Sequence, residues 1–172
     1  MIVLVIGGTR SGKSEVAERY AARLADTVTV VIPRTAPDPD DADFAARVAA
    51  HLARRPATWA TVECGERLPD ALVAAHGVAL VDSLGTWVAN ALDFEIDTQS
   101  LLGALQRRAD PTVIVSEEVG LAIHAATSVG RAFTDRLGEL NTAVASIADL
   151  VLLVVAGRVL RLEPADSIIE SA

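Results

Sequence analysis

Lysine is almost absent from this chain: of its 172 residues only Lys13 is a lysine, and the other fourteen basic residues are arginines. A general preference for arginine and alanine explains the composition as a whole, but it leaves Lys13 as the exception. A compact ammonium on a flexible stem suits a phosphate better than a planar guanidinium does. With no second lysine, the Asn-Lys-x-Asp motif by which common GTPase switches read guanine cannot exist here. Cysteine is equally scarce. Cys64 stands alone, which excludes an intramolecular disulfide and a cysteine-cluster metal site and leaves packing as its expected role. No apolar run approaches the ~20 residues needed to cross a bilayer. The N-terminus lacks the basic flank and cleavage pattern of a signal peptide. The expectation is a cytoplasmic protein with no membrane partner. An excess of positive charge is missing too: the formal charge is −8. A nucleic-acid backbone is bound by clustered positive charge, so no nucleic-acid partner is expected and any polyanion must be held locally.

What is present is apolar surface. Hydrophobic residues make up 51% of the chain and the mean hydropathy is +0.37, enough for one continuous core. A single domain over residues 1–172 is expected, with residues 163–172 as a tail. Short apolar runs at Ile2 to Ile6, Val28 to Ile32, Val78 to Val81, Thr112 to Val115 and Leu150 to Val155 read as strands buried on both faces of a parallel sheet. Helical patterns lie between them. The clearest covers Arg131 to Ala148, where Phe133, Leu137, Leu140, Val144 and Ile147 form one apolar stripe. Gly157 and Arg158 fall between two apolar runs and read as a hairpin adding an antiparallel strand. The stretch from Pro33 to Asp41, rich in proline and aspartate, is the most loop-like. There are no repeats and no low-complexity segment.

Gly7, Gly8, Thr9, Arg10, Ser11, Gly12, Lys13 and Ser14 satisfy G-x-x-x-x-G-K-[ST] between a strand and a helix. That context separates a phosphate-binding loop from a chance match. Glycines let the backbone curl with its N–H groups inward, and the helix N-terminus adds its positive dipole end. Lys13 reaches the β- and γ-phosphates, and Ser14 offers a hydroxyl to Mg²⁺. The fold class is therefore α/β of the P-loop NTPase kind: a doubly wound, mostly parallel sheet with an antiparallel C-terminal hairpin edge. Such a loop works with an acid at the end of another buried strand, and two places offer one: Asp82 in GVALVDS, and Glu117 with Glu118 in TVIVSEE. Either could hold Mg²⁺ beside the phosphates, and either could be a solvated residue where a strand leaves the core.

The middle of the chain says less by pattern alone. FAARVAAHLARRPATW reads as a helix with Phe44, Val48 and Leu52 on one face. His51 shares that face, where a packed histidine is the ordinary finding. His76 and His124 have less to recommend them. Arg47, Arg54 and Arg55 are by themselves a solvated face.

Five stretches in order change those weights: GGTRSGKS, ARVAAHLARRPATWATVE, LVDSLGTWVANAL, VSEEVGLAI and AFTDRLGELNTAVASIADLVLLVVAG. Together they resemble the bifunctional adenosylcobinamide kinase / adenosylcobinamide-phosphate guanylyltransferase family of cobalamin biosynthesis, over almost the whole chain. The pattern R-[IV]-x-x-H-x-x-x-R-P-x-x-W, here Arg47, Val48, His51, Arg55, Pro56 and Trp59, is the most specific part. The resemblance implies a two-step enzyme. It would phosphorylate adenosylcobinamide from ATP or GTP and then transfer GMP from GTP onto that phosphate, giving adenosylcobinamide-GDP and pyrophosphate. It implies that His51 is the nucleophile that carries GMP covalently, with Lys13 as the other catalytic residue. It extends the nucleotide contacts to Pro33, Arg34, Thr35, Leu52, Ala53, Arg54, Arg55, Glu63 and Asp82. Ser14 and Asp82 become the metal candidates, GTP, ATP and Mg²⁺ the cofactors, a corrinoid the small-molecule partner and a homotrimer the expected assembly. The chain departs from the family pattern at Pro33-Arg34, where an Ala-Thr pair is usual. It departs again at Glu117, where many members have Asn, and at Ala125-Ala126-Thr127, where Pro-Glu-Asn is common. Two other classes stay open on the residues alone: a different small-molecule P-loop kinase with no covalent intermediate, and a nucleotide-dependent regulatory switch.

Overall fold

The computed structural model describes residues 1–34, 55–121 and 125–169. β1 (Ile2–Gly7) sets the pattern for the sheet, because its side chains alternate between two apolar layers. Ile2 and Leu4 enter one, Val3 and Val5 the other. Around it the described chain forms α1 (Lys13–Leu24), β2 (Val28–Ile32), β3 (Ala60–Glu63), α2 (Leu68–Ala74), β4 (Val78–Asp82), α3 (Leu84–Asn90), a 3₁₀ turn (Leu92–Phe94) and α4 (Thr98–Arg107). It continues with β5 (Thr112–Glu117), α5 (Ser128–Ala145), β6 (Leu150–Val155), β7 (Arg158–Leu162) and α6 (Ala165–Ile169).

The strands make one seven-stranded sheet in the order β3-β2-β4-β5-β1-β6-β7. All neighbouring pairs are parallel except β6 with β7. This is the doubly wound α/β architecture with a hairpin edge that the sequence predicts. β1 lies between β5 and β6, so the order of winding reverses at β1. In open α/β sheets such a reversal opens a crevice beyond the carboxyl ends of the strands, where ligands bind.

Helices cover the two faces unequally. Leu68 and Leu72 of α2, Trp87 and Val88 of α3, Leu101 and Leu105 of α4, and Leu137, Leu140 and Val144 of α5 close one face over Leu4, Val81 and Ile114. Among the described residues α1 alone covers the other face, setting Ala17 and Ala21 against Val3, Val5 and Val113. Its small buried residues let the helix that follows the phosphate loop sit close to the sheet. The Trp87 indole donates to the Glu66 carbonyl at 2.9 Å, so this buried aromatic keeps its polar atom satisfied.

Three details differ from the sequence reading. β3 carries no apolar run, and all four of its residues are exposed. It exists because it pairs with the edge of β2, a tertiary cause that no local pattern announces. The long helix starts at Ser128 rather than Arg131, where the Thr127 hydroxyl accepts from the Gly130 N–H at 3.0 Å, and it ends at Ala145 rather than Ala148. The expected tail contains α6, a short helix with no buried residue.

At the amino edge of the sheet Arg108 gathers the end of α2. Its guanidinium donates to the carbonyls of Leu72, Ala75 and Gly77 and to the Thr112 hydroxyl, meeting acceptors that a helix C-terminus leaves open. Burial lowers its pKa from the ordinary arginine value, against the opposing pull of Asp110. A hollow of about 200 Å³ beside it is lined by Val73, His76, Ala104 and Asp110, among others. It sits at the edge of the sheet opposite the phosphate loop.

Candidate active site

The loop from Gly8 to Gly12 leaves β1 at the winding reversal and turns into α1. Two positions need glycine for distinct reasons. A Cβ on Gly7 would stand 2.6 Å from both Ser11 Oγ and the Val154 carbonyl oxygen, so only a bare Cα lets the loop fold back over the strand. Gly12 takes φ 94°, a left-handed conformation, as it caps α1. Arg10 also lies in the left-handed region, at φ 57°. The Ser11 N–H donates to the Gly8 carbonyl at 3.2 Å, and the Gly157 N–H reaches across from the β6–β7 turn to the Ser11 carbonyl at 2.8 Å. The loop is thus tied to a hairpin almost 150 positions further along the chain. That turn is two residues long, Ala156 and Gly157, both with positive φ, as hairpin turns that match strand twist require.

Lys13 begins α1 with its ammonium folded back over the loop, 3.4 Å from the Gly8 carbonyl oxygen and 3.7 Å from Glu117 Oε1. Glu117 closes β5 opposite Gly7. The Ser83 hydroxyl lies 3.0 and 3.2 Å from the two oxygens of its carboxylate. Ser83 is also the N-cap of α3, accepting from the Thr86 N–H. The neighbouring Gly85 leaves the room this requires, since a Cβ there would come within 1.9 Å of Glu117 Oε2. Asn141 of α5 fixes the backbone: its amide donates to the Glu117 carbonyl at 2.9 Å, and its oxygen lies 2.6 Å from the Ser116 hydroxyl.

The second acid candidate at this position is differently used. The Glu118 carboxylate accepts the N–H groups of Gly120 and Leu121, which shapes the turn after β5. Its own N–H donates to the Gly7 carbonyl.

Asp82, at the end of β4, faces Arg55. One arm of that guanidinium lies 2.9 Å from Asp82 Oδ2, and Nε lies 3.2 Å from Glu18 Oε1 of α1. Arg55 is 5% exposed and Glu18 9% exposed, so the bridge is desolvated and binds helix to sheet beneath the loop. Removing one partner from such a group leaves a buried charge uncompensated. Glu18 was not anticipated by the sequence reading. A charged residue beside Ala17 on the buried stripe of α1 was the available signal.

At the other end of the sheet Arg34 and Glu63 pair across the tips of β2 and β3, Nη2 to Oε1 at 2.6 Å. The Asn90 amide donates to the Pro33 carbonyl. The structure thus brings Gly7 through Ser14, Asp82, Glu117 and Arg55 to the carboxyl edge, with Pro33, Arg34 and Glu63 further along it. Thr35, His51, Leu52, Ala53 and Arg54 lie outside the described residues, as does His124.

Residues 3–162 match the family described as cobinamide kinase / cobinamide phosphate guanyltransferase. The chain belongs to this family. Its class is accordingly that of the bifunctional cobinamide kinase and guanylyltransferase of cobalamin biosynthesis. The bifunctional adenosylcobalamin biosynthesis protein CobU of Salmonella typhimurium is 36% identical over 91% of this chain and 97% of its own. CobP of Pseudomonas aeruginosa is 34% identical over 90% and 92%. CobU of Escherichia coli is 34% identical over 91% and 97%. Among solved structures, the P4 protein from bacteriophage phi6 in complex with ADP aligns with a TM-score of 0.47 at 15% identity, covering 92% of this chain and 52% of that one. That distant likeness carries no argument about activity.

The donors of this cobinamide kinase / guanylyltransferase family member fit a triphosphate and its metal. Ser11 Oγ is buried at the loop without a hydrogen-bond partner, the one such side-chain atom among the described residues. The Ser14 hydroxyl and the strand-end carboxylates are hard oxygen donors. No group of three or more metal-ligating side chains occurs among the described residues. Mg²⁺ is ordinarily held in this way, by one or two protein oxygens together with substrate phosphates rather than by a protein cage. No described helix is long and apolar enough to cross a membrane.

Proposed function

We propose that this chain phosphorylates the hydroxyl of adenosylcobinamide with ATP or GTP, then transfers GMP from GTP to the new phosphate through a covalent intermediate on His51. The observation that carries this reading is the family match over residues 3–162, on a fold that sets Lys13 and Ser14 at the mouth of a phosphate loop. That match favours the two-step enzyme over an unrelated P-loop kinase or a regulatory switch.

In the first step Lys13 would hold the β- and γ-phosphates while the γ-phosphoryl passes directly to the substrate hydroxyl. Bound Mg²⁺ would neutralise charge on the phosphates, with Ser14 and Asp82 as the residues that hold it. In the second step a neutral imidazole nitrogen of His51 attacks the α-phosphorus of GTP. An N–P bond forms and the bond from the α-phosphorus to the bridging oxygen breaks, releasing pyrophosphate that the loop can stabilise. An oxygen of the corrinoid phosphate then attacks the same phosphorus, the N–P bond breaks and the histidine is regenerated. Pro33, Arg34, Thr35, Leu52, Ala53, Arg54, Arg55 and Glu63 would contact nucleotide. For Arg34 and Arg55 this requires exchanging or sharing the carboxylates they now hold. A single domain, a homotrimer and a cytoplasmic setting complete the reading.

The two activities should separate on one residue. His51→Ala should abolish the GMP adduct seen by intact-mass measurement after incubation with GTP and Mg²⁺, and with it guanylyl transfer. Phosphorylation of adenosylcobinamide should stay measurable. The wild-type adduct should be labile in acid and stable in alkali, as a phosphoramidate is. GMP attached to the His51→Ala protein would show that the nucleophile lies elsewhere, and no adduct on wild type would favour a plain kinase.

A further inference from the structure

The phosphate loop already has an anion beside it. Lys13 Nζ stands 3.7 Å from Glu117 Oε1, and both side chains are substantially buried, at 12% and 31% exposure. Glu117 is not a loose surface acid that happens to swing close. Its backbone is fixed by pairing with Gly7 and by Asn141, its carboxylate meets the Ser83 hydroxyl, and Gly85 leaves space for it against the first turn of α3. The other two strand-end acids are engaged elsewhere: Asp82 with Arg55, Glu118 with the N–H groups of its own turn. Glu117 is therefore the carboxylate that answers to the lysine.

From this geometry we infer that Glu117 is a specificity-determining residue that makes the loop select the metal complex of a nucleoside triphosphate over the free triphosphate. The inference rests on the triphosphate binding proposed above. A triphosphate that enters the loop draws the Lys13 ammonium away from Glu117. The carboxylate is then left uncompensated beside the most negatively charged part of the ligand, in a partly desolvated setting where like charges repel more strongly than in water. A metal-complexed triphosphate brings its own compensating charge and is less negative, so it meets little of that penalty. A free triphosphate meets all of it. Glu117 acts on the nucleotide through Lys13 and through its charge, so it is a positioning residue rather than one that makes or breaks bonds.

Calorimetric titration tests this with ATP as the probe, once in excess EDTA and once in saturating Mg²⁺, on wild type, Glu117→Gln and Glu117→Asp. Glutamine keeps the shape and an acceptor for Ser83 but removes the charge. Glu117→Gln should bind free ATP about three- to tenfold more tightly than wild type does, with binding of MgATP changed much less, so that the ratio of the two affinities shrinks by that factor. Glu117→Asp keeps the charge and should keep the wild-type ratio even if both affinities fall. Equal ratios in wild type and Glu117→Gln, or a parallel loss of both affinities in Glu117→Gln, would overturn the inference and leave Glu117 a structural support. A wild-type protein that binds ATP in neither condition would overturn the proposed function itself. Thermal unfolding of each variant establishes that the folded protein is the one titrated.

Discussion

Lys13 sits between a carbonyl, a carboxylate and the start of a helix, and the chain has no other lysine to take its place. Lys13→Ala should weaken triphosphate binding by at least about tenfold, since it removes a charge-assisted contact to the phosphates. Calorimetry with MgATP measures it, and an unchanged affinity would mean that the loop's N–H groups alone hold the ligand. Residues of this kind were legible in the sequence because the loop is contiguous: spacing, residue type and the strand before it all lie within fourteen positions. The partners of Arg55 were not. Glu18 and Asp82 are far from it and from each other along the chain, and only the folded sheet makes them neighbours. Cys64 behaved as its solitude suggested. Burial pushes its thiol up to about 11, ahead of the opposing pull of Arg67, so it is a packed and weakly reactive group at neutral pH.

Among the elements, the middle of α5 follows the sequence closely, because the stripe of Leu137, Leu140 and Val144 is the part of the helix buried in the core. Leu140 is 1% exposed, so Leu140→Ala should cost about 2–5 kcal/mol of stability by opening a cavity that rigid neighbours cannot fill. Urea unfolding reads this directly. A cost below about 1 kcal/mol would mean that α5 packs more loosely than its burial indicates. The strands buried on both faces were equally plain, being continuous apolar runs. β3 was not, because an exposed edge strand has no reason to carry such a run. What makes it a strand is the backbone of β2 beside it. Helix ends were the least legible part, since Thr127 caps α5 through a single hydroxyl and the stripe itself begins later.

For the molecule as a whole, the parallel sheet and its hairpin edge could be read from the order of apolar runs, while the order of strands within the sheet could not. Strand order depends on which crossovers pack, and it fixes the site: β1 ends beside both β5 and β6, which brings Glu117 to one side of the loop and Gly157 to the other. That adjacency bears on how the protein is made. The strand carrying the phosphate loop leaves the ribosome before the other strands of this sheet, yet both of its sheet neighbours, and the N–H that ties down Ser11, are encoded more than 100 residues later. Closing contacts of such long range is slow and comes late. Nascent chains halted before Leu150 should therefore fail to retain a triphosphate analogue, and chains extended past Leu162 and clear of the exit tunnel should retain it. Pull-down of stalled complexes on immobilised nucleotide would follow this. Capture by the shorter chains would show that the loop sets its shape without the hairpin. Until β5 and β6 are in place, the strand that leads into the phosphate loop waits as an unpaired apolar segment, and this is the interval in which the young chain is most exposed to aggregation.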